Sequence, residues 1–204
     1  DKDFVLAINY RKVADFIAQG KGTMMKSRFA HNVFDEKTQT ATTNWIEEVK
    51  TINAADLKGM MYYIPCPKSP HGADVDPTGE YIVAGGKLAA VIPVYSFTKM
   101  IKAIEGNQTD GEIDGIPVLK YEACLSGEVQ NPGLGPLHTE FDGKGFAYTS
   151  AFVSSEVVKW NVETKEVVDR IPAYYSIGHL TIPGGDSKKP WGKYLLAMNK
   201  ITKD

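Results

Sequence analysis

The chain has 204 residues, of which 43% are apolar, and this length and composition are typical of a globular protein with a buried core. Its 23 basic and 25 acidic residues give a formal net charge of -2 and are spread along the chain, which excludes the basic surface that nucleic-acid binding needs. No run approaches the roughly 20 apolar residues of a membrane-spanning helix, so we predict no membrane span.

The two ends of the sequence indicate a segment of a longer chain. The first residues, DKDFVLAIN, include neither an initiator Met nor an export signal, and the last ones, YLLAMNKITKD, directly follow a strand-like run. We therefore expect an internal segment, in which a missing targeting signal says nothing about the compartment. Cys66 and Cys124 are too few to decide it and are interpreted as buried or half-buried thiols.

The first third of the chain predicts a short helix over residues 10–19, because Val13, Phe16 and Ile17 fall on one helical face. Polar loops and a strand over residues 60–64 are expected to follow. His31 lies in this region and is interpreted as a loop or surface histidine.

From residue 65 onward, short β-branched and aromatic runs alternate with Asp, Gly, Pro and Lys turns, a pattern typical of an all-β chain. Strands are predicted over residues 81–84 and 146–153, and residues 157–162 are expected to pair with 167–171. Helical turns over 99–105 and a polar loop over 106–115 interrupt this pattern.

Three histidines mark an internal repeat. His71, His138 and His179 each precede a turn and then a strand, at intervals of 67 and 41 residues. A four-stranded propeller blade occupies about 40 to 45 residues, so the longer interval predicts a blade with an insertion. We therefore predict an all-β fold of about three β-propeller blades with minor helical insertions. Equivalent positions in successive blades converge near the central axis, so the three histidines should face one another.

Neutral imidazole is a common ligand of copper, zinc and iron, so the repeat indicates a metal site. No Cys, Asp or Glu stands at zinc-ligand spacing around the three histidines, which favours copper and hence redox chemistry. The alternative is a copper-free propeller with a binding or lactonase-like function, in which histidines at the blade entrances form hydrogen bonds that hold neighbouring loops together.

Over most of residues 60–204 the sequence resembles nitrous-oxide reductase, because five strings occur in the order of that family. The wording of the first string is closer to the atypical second clade than to the denitrifier type. The strings are Pro67-Lys68-Ser69-Pro70-His71-Gly72 with Asp74-Val75-Asp76-Pro77-Thr78-Gly79, Gly133-Leu134-Gly135-Pro136-Leu137-His138-Thr139 with Phe141-Asp142-Gly143, Val157-Val158-Lys159-Trp160-Asn161, Tyr174-Tyr175 with Gly178-His179-Leu180, and Asn199-Lys200.

The resemblance implies a periplasmic homodimer whose N-terminal, seven-bladed propeller holds the CuZ cluster, four coppers bridged by sulfide and bound by seven histidines. His71, His138 and His179 match three of those ligands. Residues 1–204 would then be a partial propeller domain. The other four ligands and the C-terminal cupredoxin domain with its CuA site would lie outside this chain. Three blades alone would leave strand edges exposed, so we expect the isolated segment to be poorly soluble and inactive.

The family reduces nitrous oxide to dinitrogen and water, with electrons from a c-type cytochrome or a cupredoxin. Lys200 matches a lysine beside the cluster and is the candidate catalytic residue, able to hydrogen-bond or protonate the departing oxygen. Asp3 matches an aspartate that helps to bind a structural calcium ion. Ser69 stands where the other clade has a calcium-linked asparagine, so the resemblance leaves the calcium ligand set incomplete.

Overall fold

The computed structural model describes residues 3–185 and 187–201, without the side chains of residues 27–32 and 44–47. The chain divides into two compact units. The larger unit comprises Asp1–Ala7, Tyr63–Glu112 and Pro117–Asp204, and the smaller unit comprises Ile8–Tyr62 and Ile113–Ile116.

Within the described residues, strands predominate over helices. The strands are β1 (Asp3–Ile8), β2 (Thr23–Asp35), β3 (Thr40–Thr51), β4 (Met61–Cys66), β5 (Pro70–Val75), β6 (Tyr81–Gly86), β7 (Val91–Ser96), β8 (Thr109–Ile113), β9 (Ile116–Leu119), β10 (Leu125–Gln130), β11 (Pro136–Phe141), β12 (Phe146–Ala151), β13 (Glu156–Asn161), β14 (Val167–Pro172), β15 (Ile177–Thr181) and β16 (Leu196–Asn199). The helices are α1 (Tyr10–Ala18), α2 (Phe97–Glu105) and α3 (Tyr121–Cys124), with a short 3-10 turn at Ala54–Leu57.

The smaller unit contains α1 and a long antiparallel hairpin of β2 and β3. The predicted helix is confirmed, and it begins where the Asn9 side chain accepts a hydrogen bond from the backbone N–H of Lys12. The predicted polar loops between this helix and residue 60 are wrong over residues 23–51. Polar residues are frequent on both hairpin strands, so the alternation of apolar and polar residues by which strands are recognised is weak there. The backbone of His31 lies in β2 rather than in a loop, and its side chain lies outside the described residues.

The larger unit contains two four-stranded antiparallel sheets, each of the size of a propeller blade. We call them blade A, with the strand order β5-β6-β7-β10, and blade B, with the order β11-β12-β13-β14. Strands β15 and β16 form a third, two-stranded sheet, so the all-β prediction is confirmed. A further sheet has the order β1-β4-β9-β8, in which β4 and β9 run parallel.

The predicted insertion is confirmed within blade A. Between β7 and β10 the chain forms α2, β8, β9 and α3, which accounts for the longer interval between the first two histidines of the repeat. The polar loop predicted over residues 106–115 is wrong in part, because β8 occupies Thr109–Ile113. Its Thr-Asp-Gly-Glu-Ile sequence is typical of a turn, and pairing with β9 makes it a strand.

The core of the larger unit lies between blades A and B. A cluster of buried side chains draws one half of its members from each blade, and the indole of Trp160 is fully buried within it. Each Val, Ile or Phe side chain of the cluster contributes roughly 1.5–3 kcal/mol when it is removed from water. The members are Val83, Ile92, Val94 and Val129 from blade A, and Phe141, Ala147, Trp160 and Val162 from blade B or the residue after β13.

The first strand of blade B comes close to blade A because Gly85 lacks a side chain. A Cβ atom at this position in β6 would lie 2.4 Å from the carbonyl oxygen of Leu137 and 2.6 Å from that of Pro136, both in β11. Any larger residue would push β11 away from blade A. A second buried cluster, Val157, Ile177 and Leu180, packs β15 against blade B. The strand β11 therefore lies between β5 and β15, so the three strands are adjacent in space in the same order as in the sequence.

Candidate metal centre

The histidines of the repeat lie on these three neighbouring strands: His71 on β5, His138 on β11 and His179 on β15. The ring centroids of His71 and His138 are 4.8 Å apart, those of His138 and His179 are 4.1 Å apart, and those of His71 and His179 are 6.1 Å apart. The predicted convergence of the three imidazoles is confirmed. As predicted, a turn and then a strand follow each histidine, and each histidine itself lies within the first strand of its sheet.

Each histidine lies within or beside a bulge that gives its strand one residue more than the partner strand. Bulges bend a strand and redirect side chains, and they are frequent next to functional sites. Sequence periodicity gave no sign of these bulges. The paired positions that enclose them are His71–Gly85 and Asp74–Val83 in blade A, Pro136–Ala151 and Thr139–Thr149 in blade B, and Ile177–Asn199 and Leu180–Ala197 in the third sheet.

Two of the imidazoles each have one buried nitrogen without a hydrogen-bond partner: Nδ1 of His71 and Nε2 of His138. A buried polar atom left unsatisfied costs about 1–3 kcal/mol, so such atoms are rare unless they serve a ligand. Burial is the main cause that lowers the pKa of His71, followed by the nearby His138, Lys200, His179 and Lys87. His71 is therefore held in the neutral form, which is the form that binds metals.

The surroundings of His138 include a carboxylate that the sequence reading missed. Oδ1 of Asp74 lies 3.8 Å from Nδ1 of His138, and Oδ2 accepts a 2.7 Å hydrogen bond from the backbone N–H of Thr139. Asp74 is on β5 and His138 is on β11, so only the packing of the blades brings them together. The prediction from sequence concerned only residues at zinc-ligand spacing around each histidine, so it could not include a carboxylate from another strand.

Lys200 lies just after β16, beside the strand of His179. Its backbone N–H donates a 2.9 Å hydrogen bond to the carbonyl of Ser176, and its side-chain stem covers Gly178, where an added Cβ would lie 3.2 Å from the Cβ of Lys200. The preceding residue, Asn199, donates from its amide to the carbonyl of Tyr175 at 2.8 Å. The side chain of Lys200 is exposed, and its charge contributes to the lowered pKa of His71.

Two further residues flank the histidines. Lys87 also opposes protonation of His71, and its backbone N–H donates to the carbonyl of Ser69 at 2.9 Å. Asp3 accepts a 2.5 Å hydrogen bond from the backbone N–H of Ser69, a residue with a φ of 60° two positions before His71. Asp3 thus holds the turn from which the first histidine strand begins. Its binding of calcium stays a prediction.

Both cysteines are free and buried, as predicted. Burial raises the pKa of Cys66 to about 11, with a smaller contribution from the charge of Asp3, and burial alone raises the pKa of Cys124 to about 11. Such thiols are unreactive at neutral pH and poor candidates for metal ligands.

Within residues 3–185 and 187–201, no group of three or more His, Cys, Asp or Glu side chains has an arrangement that could hold one metal ion. The three imidazoles are close neighbours without a common point for a single ion. Across the same residues, no helix has the length and apolar content needed to cross a membrane.

Comparison with known proteins shows that this chain is similar to nitrous-oxide reductases. Residues 170–204, which include His179 and Lys200, match the family model of the nitrous oxide reductase propeller repeat. The chain is 33% identical over 153 residues to nitrous-oxide reductase of Ralstonia nicotianae and 34% identical over 154 residues to that of Stutzerimonas stutzeri, with 70% of this chain and 22% of each relative covered. It is 31% identical over 170 residues to nitrous-oxide reductase of Cupriavidus necator, which covers 78% of this chain and 25% of that relative.

The chain thus spans about a quarter or less of the length of the curated relatives that it matches. The matched repeat contains β15 and β16, and the neighbouring blades A and B have the strand arrangement that a propeller requires. The predicted resemblance is confirmed: this chain is similar to nitrous-oxide reductases over 70% or more of its own length, and residues 170–204 match the propeller repeat of that family.

Proposed function

We propose that this chain supplies His71, His138 and His179 as ligands to the copper–sulfide cluster of a nitrous-oxide reductase. The observation that carries the proposal is the convergence of the three imidazoles, with centroids 4.1 to 6.1 Å apart, from equivalent strands of three successive sheets. The buried nitrogens of His71 and His138 that have no hydrogen-bond partner are what a metal would satisfy.

The donor set is suitable for copper. Neutral imidazole is a good ligand for copper ions, and His71 is held neutral by its lowered pKa. A cluster of several ions needs only one or two imidazoles on each ion, so three rings that share no common point are compatible with it. When bound, the cluster would supply the two electrons that convert nitrous oxide to dinitrogen and water, a reaction that also consumes two protons.

Within this scheme the protein holds the ligands and delivers protons. The bulges direct the histidines from three strands toward one region, and the core between blades A and B fixes the strands. The proposed role of Lys200, whose charge contributes to the lowered pKa of His71, is to donate a hydrogen bond or a proton to the oxygen atom that leaves nitrous oxide. The resting ammonium is restored from solvent, because the side chain is exposed.

Copper content tests the ligand assignment. In the intact protein, His138→Gln should lower the copper bound per protein and change the visible absorption of the copper centre. His31→Gln is the matched control, since His31 belongs to the smaller unit and carries the same substitution. Equal copper in the wild type and the His138 variant would refute the assignment. A parent protein that binds no copper would favour the copper-free binding or lactonase-like propeller.

Turnover tests the role of Lys200. Lys200→Ala should lower the rate of nitrous-oxide reduction while the copper content stays unchanged. Lys193→Ala is the control, because Lys193 is also exposed and lies on the segment that leads into β16. Normal turnover of the Lys200 variant would remove the proposed proton transfer.

The family relationship supports further proposals for the intact protein. We propose that it is a periplasmic homodimer that receives electrons from a c-type cytochrome or a cupredoxin through a CuA site in a cupredoxin domain outside residues 1–204. We likewise propose that residues 1–204 are one partial propeller domain. Within it, the helix α1 and the hairpin of β2 and β3 form a compact unit of their own.

A calcium ion bound in part by Asp3 is the last of these proposals. Asp3→Asn would keep an oxygen that can accept the hydrogen bond from Ser69, while it removes the negative charge that calcium prefers. Calcium per protein should fall in this variant, with the unfolding midpoint in excess EDTA unchanged from wild type. Unchanged calcium would assign Asp3 to the hydrogen bond alone.

A further inference from the structure

We propose that Asp74 is a positioning residue that fixes the tautomer of His138, so that the proton sits on Nδ1 and Nε2 is free to bind copper. This inference rests on the proposed function for the copper ligation, but the tautomer itself is a property of the copper-free protein. Metal-binding histidines commonly direct their second ring nitrogen toward a carboxylate or a carbonyl, which sets both the tautomer and the ring orientation.

The carboxylate of Asp74 is oriented by a hydrogen bond next to the ring of His138. Its Oδ2 accepts a 2.7 Å hydrogen bond from the backbone N–H of Thr139, the residue that follows His138. Its Oδ1 is then left 3.8 Å from Nδ1 of His138. The hydrogen bond thus ties the carboxylate to the backbone next to the imidazole.

The two nitrogens of His138 have opposite surroundings. Nδ1 faces the negative oxygen of Asp74, which favours a proton at this position. Nε2 is buried and has no hydrogen-bond partner, so a proton there would be an unsatisfied buried donor. Both effects favour the same tautomer, which leaves the lone pair of Nε2 free to bind a metal ion.

The space between Asp74 and His138 is kept open by Gly72. This residue has a φ of 82°, and a Cβ atom there would lie 3.0 Å from Nδ1 of His138 and 3.2 Å from Oδ2 of Asp74. The bulge that follows His71 in β5 contains Gly72 and ends at Asp74. The bulge therefore serves two ligands, since it follows His71 directly and brings a carboxylate to His138.

Asp74→Asn separates the charge from the shape of this side chain. The amide oxygen would keep the hydrogen bond from Thr139, which leaves the NH₂ group facing Nδ1 of His138. A donor at this position favours an unprotonated Nδ1 and moves the proton to Nε2, where it blocks the copper-binding lone pair. Asp74→Glu keeps the charge and should retain the wild-type tautomer.

The tautomer is measured by side-chain ¹⁵N chemical shifts of the intact, copper-free protein labelled at histidine, with the His138 signals assigned by their loss in His138→Gln. We expect protonated Nδ1 in wild type and Asp74→Glu, and protonated Nε2 in Asp74→Asn. Copper titrations should show affinity about 10–100-fold weaker in Asp74→Asn. Asp169→Asn is the control, because Asp169 accepts a hydrogen bond only from its neighbour Arg170 among the contacts described.

The same tautomer in wild type and Asp74→Asn would overturn the inference, whatever the copper content. A loss of bound calcium from Asp74→Asn, with His138 unchanged, would assign the carboxylate to a cation and would also overturn it. A wild-type protein that shows the expected tautomer but binds no copper would refute the proposed function and leave the positioning role of Asp74 intact. The two failures are therefore distinguishable.

Discussion

A methyl group at residue 72 tests how closely the histidine site depends on the packing of blade A against blade B. Gly72→Ala should destabilise the protein by two effects. An alanine at a φ of 82° costs about 1–2 kcal/mol, because left-handed backbone is unfavourable for residues with a Cβ. The new Cβ would also lie 3.0 Å from Nδ1 of His138, closer than van der Waals contact, and relief of such overpacking costs about 1–3 kcal/mol.

Gly79→Ala measures the backbone penalty alone, so the difference between the two variants isolates the contact with His138. Gly79 has a φ of 79°, and no atom lies within 4 Å of the Cβ that alanine would add. The backbone penalty is therefore the same, and the contact with His138 is absent. We expect unfolding free energies lower by about 1–2 kcal/mol in Gly79→Ala and by about 2–5 kcal/mol in Gly72→Ala.

Urea denaturation of the intact, copper-free protein measures the two free energies, and copper titration measures the consequence for the site. If the ring of His138 rotates away to relieve the contact, part of the energy is recovered but copper binding weakens. Gly72→Ala must therefore lose stability, copper affinity or both relative to Gly79→Ala. Equal midpoints together with equal copper affinities would refute the geometry of Gly72, Asp74 and His138 described above.

Three further predictions concern groups whose environment is unusual. Because the pKa of His71 is lowered, the unfolded chain binds a proton at this residue more readily than the folded chain does. The unfolding free energy should therefore decrease as the pH falls from about 7.5 to 5.5. Urea midpoints of the copper-free protein should show this decrease, and it should be smaller in His71→Gln. Cys66 and Cys124, with pKa values raised to about 11, should resist iodoacetamide at about pH 8 in the folded protein and react after denaturation, as measured by peptide mass spectrometry; rapid native labelling would contradict their burial. Thr149→Val should cost about 1–3 kcal/mol by urea denaturation, because the buried indole N–H of Trp160 loses its 2.9 Å partner, and Trp160→Phe should cost less in that background than in wild type; equal costs would show that the hydrogen bond is unimportant.

The histidine repeat was predictable because the turns and strands that mark it are recognisable from short stretches of sequence. Each histidine is followed by a turn of Asp, Gly or Pro residues and then by a run of apolar and aromatic residues, and blade strands are short enough for this pattern to be visible. The same local character explains the predicted helix α1 and the pairing of β13 with β14. The interval of 67 residues was enough to predict an insertion, since a blade of ordinary length could not fill it.

The predictions of secondary structure were wrong where the sequence pattern of strands was weak. The hairpin of β2 and β3 was read as polar loops, because its backbone pairing over residues 23–51 does not depend on an alternating apolar face. The strand β8 was read as a loop for a similar reason, since pairing with β9 decides its conformation. In both cases a partner strand, rather than the segment itself, determines the structure.

The sequence by itself determined that this is an all-β chain that resembles nitrous-oxide reductase and has histidines at equivalent blade positions, because a repeat of chemically identical residues is independent of how the blades are packed. Only the tertiary structure decided which groups touch those histidines. Asp74 meets His138 across two strands, where the hydrogen bond from Thr139 to Asp74 joins residues that are 65 apart in sequence, and Gly85 allows the approach by lacking a side chain. Contacts of this kind arise from the packing of one sheet on another, and no periodicity within a single strand encodes them.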